Sequence, residues 1–472
     1  VSVVLREAAP RFDAEVPIAI IGAGAAGLTA ALAAAEAGVE ALVVERDALP
    51  QGSTALSAGL IPAAGTRFQA AHGIADEALL FEADIQAKAK GQALSELAAL
   101  LAREAGPTIE WLADAQGLDF SVVHDFDYPG HRRRRMHGLP SRSGAELVDR
   151  LRAAAEHAGI TILTEARVSA LIADQAGTPR GLIISRPDGS EERIGARAIV
   201  LACSGYGGDA ALVRQHIPRL ADALYFGHPG NTGDAVKWGA ALGARLAQMS
   251  GHQGHGSVAQ PAGILVTWAV ITEGGFQVNA AGHRFWNEAR GYSEAAEAVL
   301  GQPEGIAFDI FDARIAAIAR QFADFRAAEE HGAVLSAPDV AALAARARLP
   351  ADSLAAAFAE VEAMKRGGAT DGFGRDWSRT AALAPPFHAV RVTGALFHTQ
   401  GGLLVDETAR VLRADGGAIA GLYAAGGAAC GVSGPEPSGY LSGNGLLSAV
   451  VLGRIAGREA ARLIPAAADL DS

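Results

Sequence analysis

The chain has 472 residues, half of them hydrophobic, 57 glycines and a formal net charge of −12. That length exceeds one ordinary hydrophobic core and predicts two or three domains, while the negative charge argues against a nucleic-acid partner. Two cysteines far apart, Cys203 and Cys430, argue against both a disulfide framework and a cysteine metal site.

Residues 17–22, PIAIIG, form a short buried-strand pattern. GAGAAG follows, then an Ala-rich helical stretch ending at Gly38, then a second strand, EALVVERD. Residues 76–116 carry helical spacing with expected breaks at Gly91 and Gly106–Pro107. From 145 to 202 a helix leads into several strands, two of them joined by the turn RPDGS. NTGDAVKWGAALGA, 231–244, reads as a glycine turn opening another helix. After about residue 250 the style changes, with helices and few glycines expected over 304–366. From TGALFHTQGGLLVD onward the strand-and-glycine style returns. This predicts a discontinuous first domain, 1–249 with 393–472, and an inserted second domain, 250–392. No charged-then-apolar leader opens the chain and no long apolar run is free of charges and glycine clusters, so a cytoplasmic protein without membrane contact is expected.

The β–turn–α–β unit at 17–47 gives the glycines a mechanism. Gly22 permits the tight turn, Gly24 lets backbone N–H groups approach a pyrophosphate, and Gly27 lets the helix pack close to the sheet. The helix start offers unpaired N–H groups and about half a positive charge to phosphates. Glu45, 18 residues beyond Gly27, is placed to accept hydrogen bonds from a ribose. The four arginines at 132–135 read equally well as a solvated loop or as an internal anion site.

After Glu45 comes STALSAGLI, 53–61, and later HPGNTGDAVKWGAALGA (228–244), GGFQVNAAGHRFWNE (274–288), HTQGGLLVD (398–406), GLYAAGG (421–427) and GNGLLSAVVLGRIAG (443–457). In these motifs, and in their order, most of the chain resembles the flavoprotein family of soluble fumarate reductases, succinate dehydrogenase flavoprotein subunits and 3-ketosteroid dehydrogenases. The resemblance implies an α/β architecture: a discontinuous, Rossmann-like FAD-binding domain with an inserted α+β capping domain. It places Gly22, Gly24, Gly27, Glu45 and Arg46 on the ADP half of FAD. Thr54, Ser57 and Gly59 fall near the ribitol and isoalloxazine, Val168 behind the adenine, and Gly205 and Asp234 in flavin-lining loops. Gly426, Asn444, Leu446 and Leu447 fall near the pyrimidine end. Covalent members of the family carry a histidine where Ser53 stands, so non-covalent FAD is expected. Gly427 replaces an acidic residue of the family.

The resemblance also implies hydride transfer between flavin N5 and a substrate β-carbon, with a protein group handling the α-proton. Fumarate reductases grip a carboxylate with an arginine at the position of Tyr440, and a phenol cannot make that bidentate charged contact. The pattern Tyr440-Leu441-Ser442-Gly443 is similar instead to the ketosteroid Δ4-dehydrogenase branch, in which a tyrosine and a serine two residues on remove a proton from a ketone, with a second tyrosine after a motif like Arg284-Phe285-Trp286-Asn287-Glu288. Tyr292 matches it. His398 and Arg290 fall at or near positions of a substrate-binding histidine and a proton-donating arginine of fumarate reductases, and His252 or His255 near another substrate histidine. Arg135, Met136 and His137 are candidates for the substrate entrance, and Arg135 is the candidate replacement for the missing clamp. A tyrosine base at pH 7 to 8 needs its pKa, about 10 when free, lowered by about 2 to 3, which takes about 3 to 4 kcal/mol. The expectation is FAD-dependent desaturation of a ketone, a 3-ketosteroid or smaller oxocyclohexane. The alternative is a fumarate-reductase-like or tricarballylate-dehydrogenase-like enzyme. The partners expected are a small-molecule substrate and an unidentified electron acceptor, and no metal site is expected.

Overall fold

The computed structural model describes residues 3–124 and 127–465. The chain packs as two compact units. One comprises Val1–Pro218, Gly227–His252 and His398–Ser472; the other comprises Arg219–Phe226 and Gln253–Phe397.

The first unit is built on a nine-stranded sheet whose centre is parallel. Strand β1 (Val3–Arg6) lies at one edge, and β2 (Ala14–Ile21) is central. The apolar run Ile18–Ile21 is buried because both faces of β2 are covered. β2 pairs in parallel with β3 (Ala41–Val44) on one side, Ile18 opposite Ala41, and with Glu191–Leu201 on the other, Ile18 opposite Ala198. Beyond these lie Thr161–Leu163 and Ala418–Ala424, also parallel. Helix α1 (Ala25–Glu36) follows β2 directly, and it packs against the helix Asn444–Arg462. That contact is backbone to backbone. A Cβ on Gly453 would lie 2.5 Å from Ala26 O, and one on Gly457 2.0 Å from Ala30 O.

The helical stretch 76–116 holds two helices, Ala78–Lys88 and Ser95–Asp114, with Gly91 between them at φ +74°. The expected break at Gly106–Pro107 is absent, for the second helix runs through it. Burial of Leu101, Ala105, Ile109 and Leu112 on one face outweighs the proline's lost hydrogen bond, and Gly106 lets the helix approach Ala64 O.

The second unit centres on a seven-stranded sheet in which Phe387–Thr399 pairs antiparallel with Ile306–Asp312. The stretch 304–366 is therefore not purely helical: IAFDIFD, 306–312, is a strand buried along its whole length, and Val334–Ala337 is a second strand. Helices Val340–Ala347 and Ala351–Lys365 bury Leu343, Leu354, Phe358 and Val361 against Phe276, Val278 and Ile310. No helix among the described residues is long and apolar enough to cross a membrane.

Candidate active site

The cofactor candidates gather at the carboxyl ends of the parallel strands of the first unit. Gly22 follows β2, Glu45 and Arg46 follow β3, Gly205 lies just past Leu201, and Gly426 just past Ala424. Loops at such strand ends are where open parallel sheets bind ligands. Gly22 has φ +105°, and a Cβ there would come within 2.6 Å of Ala202 O. A Cβ on Gly27 would lie 1.9 Å from Gly22 O, so only glycine closes this turn against its own helix. Glu45 Oε2 accepts the Ala23 N–H at 2.8 Å, and Thr54 Oγ1 accepts the Ala25 N–H at 3.0 Å. These bonds bring Glu45, the Gly22–Gly27 turn and the Ser53–Gly59 segment together.

Ser57 Oγ donates to Thr54 O and accepts the Gly59 N–H, and Gly59, at φ +65°, abuts Ser143 O. Arg46 donates to Gly230 O at 3.0 Å and bonds His228 Nδ1, docking the 228–234 loop, from which Asp234 opens a helix. Ser53 Oγ accepts from His228 N and from Asn231 Nδ2 in the same loop. Val168 is buried in the strand Arg167–Ala173. Gly205 lies against Thr399 Oγ1 and Gly427 O, where a side chain would collide. Asn444 and Leu447 are buried in the first turn of the helix Asn444–Arg462, with Leu446 partly buried, and Asn444 Oδ1 has no hydrogen-bond partner. A turn closed only by glycine, a helix start aimed along it and an orphaned buried amide oxygen fit a large dinucleotide cofactor.

Tyr440 and Ser442 precede that helix start and are buried. The Tyr440 ring stands edge-on to His398, centroids 5.3 Å apart. His398 Nε2 lies 2.9 Å from the point a Cβ on Gly445 would occupy. Burial, with a smaller effect from His252, pulls the His398 pKa down to about 4, so its ring is uncharged at neutral pH.

Three of the four arginines at 132–135 are paired with aspartates. Arg135 is 1 % exposed, forks onto both oxygens of Asp76 at 2.9 Å, and also pairs with Asp84. It is therefore unsuited to replace a substrate clamp. Arg132 also pairs with Asp84 and Arg134 with Asp127. Met136 and His137 are buried in a short strand, with His137 Nε2 2.8 Å from Thr66 Oγ1. One residue here carried no sequence signal: His131 accepts from Arg135 at Nδ1 and donates from Nε2 to Ser442 O at 2.9 Å. Arginine only donates and a carbonyl only accepts, so this tautomer is fixed. The ion pair thus buttresses the Tyr440–Ser442 turn from behind.

Tyr292 and Arg290 belong to the second unit, as does His255, whereas His252 belongs to the first. Tyr292 opens the helix Tyr292–Leu300 and stacks on His255 at 5.0 Å; Arg290 is exposed at the end of the short turn Glu288–Arg290. RFWNE is a buried lock: Arg284 pairs with Glu288 at 2.7 Å and with Asp371 at 3.0 Å, and Arg375 lies 3.4 Å from Glu288. Among the described residues no group of three His, Cys, Asp or Glu is arranged to hold a metal. The two cysteines are free, and burial pushes both thiols up to about 12.

The family profile described as FAD binding domain matches residues 18–446. The chain belongs to that family. This flavoprotein is 31% identical over 446 residues to the probable fumarate reductase Ifc3 of Shewanella frigidimarina (strain NCIMB 400), covering 94% of this chain and 74% of that one. It is 26% identical over 548 residues to the 4-oxocyclohexanecarboxylate 2-dehydrogenase of Sinomonas cyclohexanicum, covering 93% and 92%. Its fold matches the 3-ketosteroid-Δ4-(5α)-dehydrogenase of Rhodococcus jostii RHA1, solved with 4-androstene-3,17-dione, with TM-score 0.76, 25% identity and coverage of 97% and 99%. The flavoprotein is an FAD-dependent oxidoreductase acting on CH–CH groups, in the family shared by fumarate reductases and ketosteroid dehydrogenases.

Proposed function

We propose that this flavoprotein desaturates a ketone α,β to its carbonyl, with Tyr440 as the base. The observation that carries the reading is Tyr440 itself, a buried phenol edge-on to an uncharged His398 and just before the helix start at Asn444. The segment Pro437–Asn444 contains no cationic side chain, and Arg135 is committed to two aspartates. A dicarboxylate would meet little charge complementarity there, whereas a neutral carbonyl needs only a donor.

FAD supplies the acceptor for the hydride that leaves the β-carbon. Tyr440, as phenolate, takes the α-proton, and the electron pair of that C–H bond becomes the new C=C bond. Ser442 holds the turn through its carbonyl bond to His131. Tyr292 and Arg290 enter the reading through family resemblance alone. Ser53, bonded to the 228–231 loop, replaces the histidine of covalent relatives, so FAD is held non-covalently and acid precipitation should release all of it into the supernatant.

Anaerobic mixing with 4-oxocyclohexanecarboxylate and ring-saturated steroid 3-ketones should bleach the flavin absorbance. Fumarate and tricarballylate should neither oxidise nor reduce it. The reading is wrong if only the unsaturated carboxylates reoxidise reduced enzyme and no ketone bleaches it. A second reading, a carboxylate enzyme, is favoured by His398 and by likeness to the Shewanella chain, and that outcome would select it.

A further inference from the structure

The turn that carries Tyr440 is packed from several sides. A Cβ on Gly439 would lie 1.8 Å from Ser433 O, so the backbones touch there. Leu441 lies on Gly130, which has φ +86° and where a Cβ would come within 2.6 Å of Leu441 Cδ1. The Ser442 carbonyl accepts the His131 Nε2–H at 2.9 Å. Tyr440 is extended, at φ −70° and ψ 107°, between the short turn Pro437–Gly439 and Gly443 at φ +85°. One residue, Leu441, separates it from Ser442, so a displacement of Ser442 carries the phenol with it.

His131 is a rigid prop. Arg135 Nη1 donates to its Nδ1 at 3.1 Å and also to Asp84 Oδ2. Asp84 is buried on the helix Ala78–Lys88 and accepts the Arg132 N–H at 3.0 Å as well, which ties the backbone of this loop to the same helix. Phe81, on that helix, lies 4.8 Å from the Arg135 guanidinium carbon and 6.1 Å from the His131 ring. Burial, then the Arg135 charge, pulls the His131 pKa down to about 4, so the ring holds a single proton at neutral pH. An arginine only donates and a carbonyl only accepts, so that proton sits on Nε2, facing Ser442.

We propose that His131 is a positioning residue for the reaction: its bond to Ser442 O sets where the Tyr440 phenol stands. The proposal rests on the reading of Tyr440 as the base. A base must come within hydrogen-bond reach of the proton it takes, and a misplacement of about 1 Å costs about a hundredfold in rate. The contacts at Gly439 and Leu441 are packing, which tolerates sliding. The His131 bond has a length and a direction, and its donor is anchored to a buried ion pair.

The test uses FAD-loaded enzyme labelled with 3-fluorotyrosine. The chain has six tyrosines, and the Tyr440 ¹⁹F signal is the one lost in Tyr440→Phe. His131→Asn keeps an oxygen for Arg135 but is too short to reach Ser442 O, whereas His131→Gln reaches both. The Tyr440 signal should shift or split in His131→Asn and return to its wild-type position in His131→Gln. Tyr423, in the strand Ala418–Ala424, is the control and should not move. A Tyr440 signal unmoved in His131→Asn, displaced equally in both variants, or accompanied by an equal change at Tyr423 overturns the proposal. With a ketone that bleaches the flavin, His131→Asn should lower kcat by about tenfold to a hundredfold with KM little changed, and His131→Gln should recover most of the loss. Unchanged kcat in His131→Asn likewise overturns it. Should His131→Asn fail to fold, ¹⁵N-histidine spectra of the wild type decide, with the His131 signal identified by its loss in His131→Gln: a proton on Nε2 supports the proposal and a proton on Nδ1 overturns it. Neither kind of spectrum needs a substrate, so failure of the ketone reading appears in the flavin assay alone.

Discussion

Tyr440 and Arg135 make opposite predictions at the scale of single residues. Tyr440→Phe removes one oxygen from a packed ring and keeps the edge-on contact with His398. The variant should retain FAD and fold normally but lose turnover by about a hundredfold to ten-thousandfold, the range for losing a general base. Retained activity would take Tyr440 out of the mechanism. Arg135→Met instead leaves Asp76 and Asp84 short of a buried counter-charge. Removing one partner of a buried pair costs about 3–5 kcal/mol, so the melting temperature should fall by several degrees while the order of preferred substrates stays the same. A changed preference at unchanged stability would restore Arg135 to the substrate site. The sequence could not separate these cases, because a run of four arginines looks alike whether solvated or paired. The partners of Arg135 lie 59 and 51 positions away. His131 was illegible for the same reason: its link to Ser442 runs through space and leaves no motif.

Among the elements, those that bind through the backbone were legible and those decided by burial were not. The β2–turn–α1–β3 unit announced itself because Gly22 and Gly27 are the only residues its geometry tolerates. Pro107 was misleading because helix propensity is weaker than an apolar face buried along 20 residues. The strand Ile306–Asp312 was hidden because it is buried on both faces, so its apolar residues and its two aspartates follow no alternation. RFWNE was visible as a marker, yet its arginine and glutamate serve packing, with both side chains at most 2 % exposed. Gly457 makes an element-level prediction. In Gly457→Val the new side chain meets Ala30 O and must push the helix Asn444–Arg462 off α1. The protein should then purify with little FAD, and a fully loaded variant would contradict this account of the helix pair.

At the scale of the whole molecule, buried histidines set the response to acid. Burial lowers His131, His137 and His398 to about 4 and His255 to about 3. The unfolded chain takes up protons near pH 6.5 while the folded chain does not, so stability is full above that pH and falls as pH drops toward 4. Asp309 opposes this. Burial raises it to about 7, so between about 3.8 and 7 the folded state holds a proton that the unfolded state has lost. From these five groups alone, four histidines less one aspartate leave three protons, a slope of about 4 kcal/mol per pH unit. Denaturant midpoints should therefore be clearly lower at pH 5 than at pH 7.5; a flat profile would show that these rings are solvated.

The contact of Gly453 and Gly457 with α1 has a bearing on how such enzymes diversify. The two helices whose first turns carry the cofactor candidates are bolted together along their backbones, while Pro437–Ser442 lies ahead of the bolt. On the function proposed above, cofactor affinity and reaction type would be inherited on separate stretches of chain. A lineage would then exchange the short segment before Asn444, arginine for tyrosine, without disturbing the helix pair. A library confined to 437–442 should yield catalysts of new preference at a far higher rate than one spread over the helices.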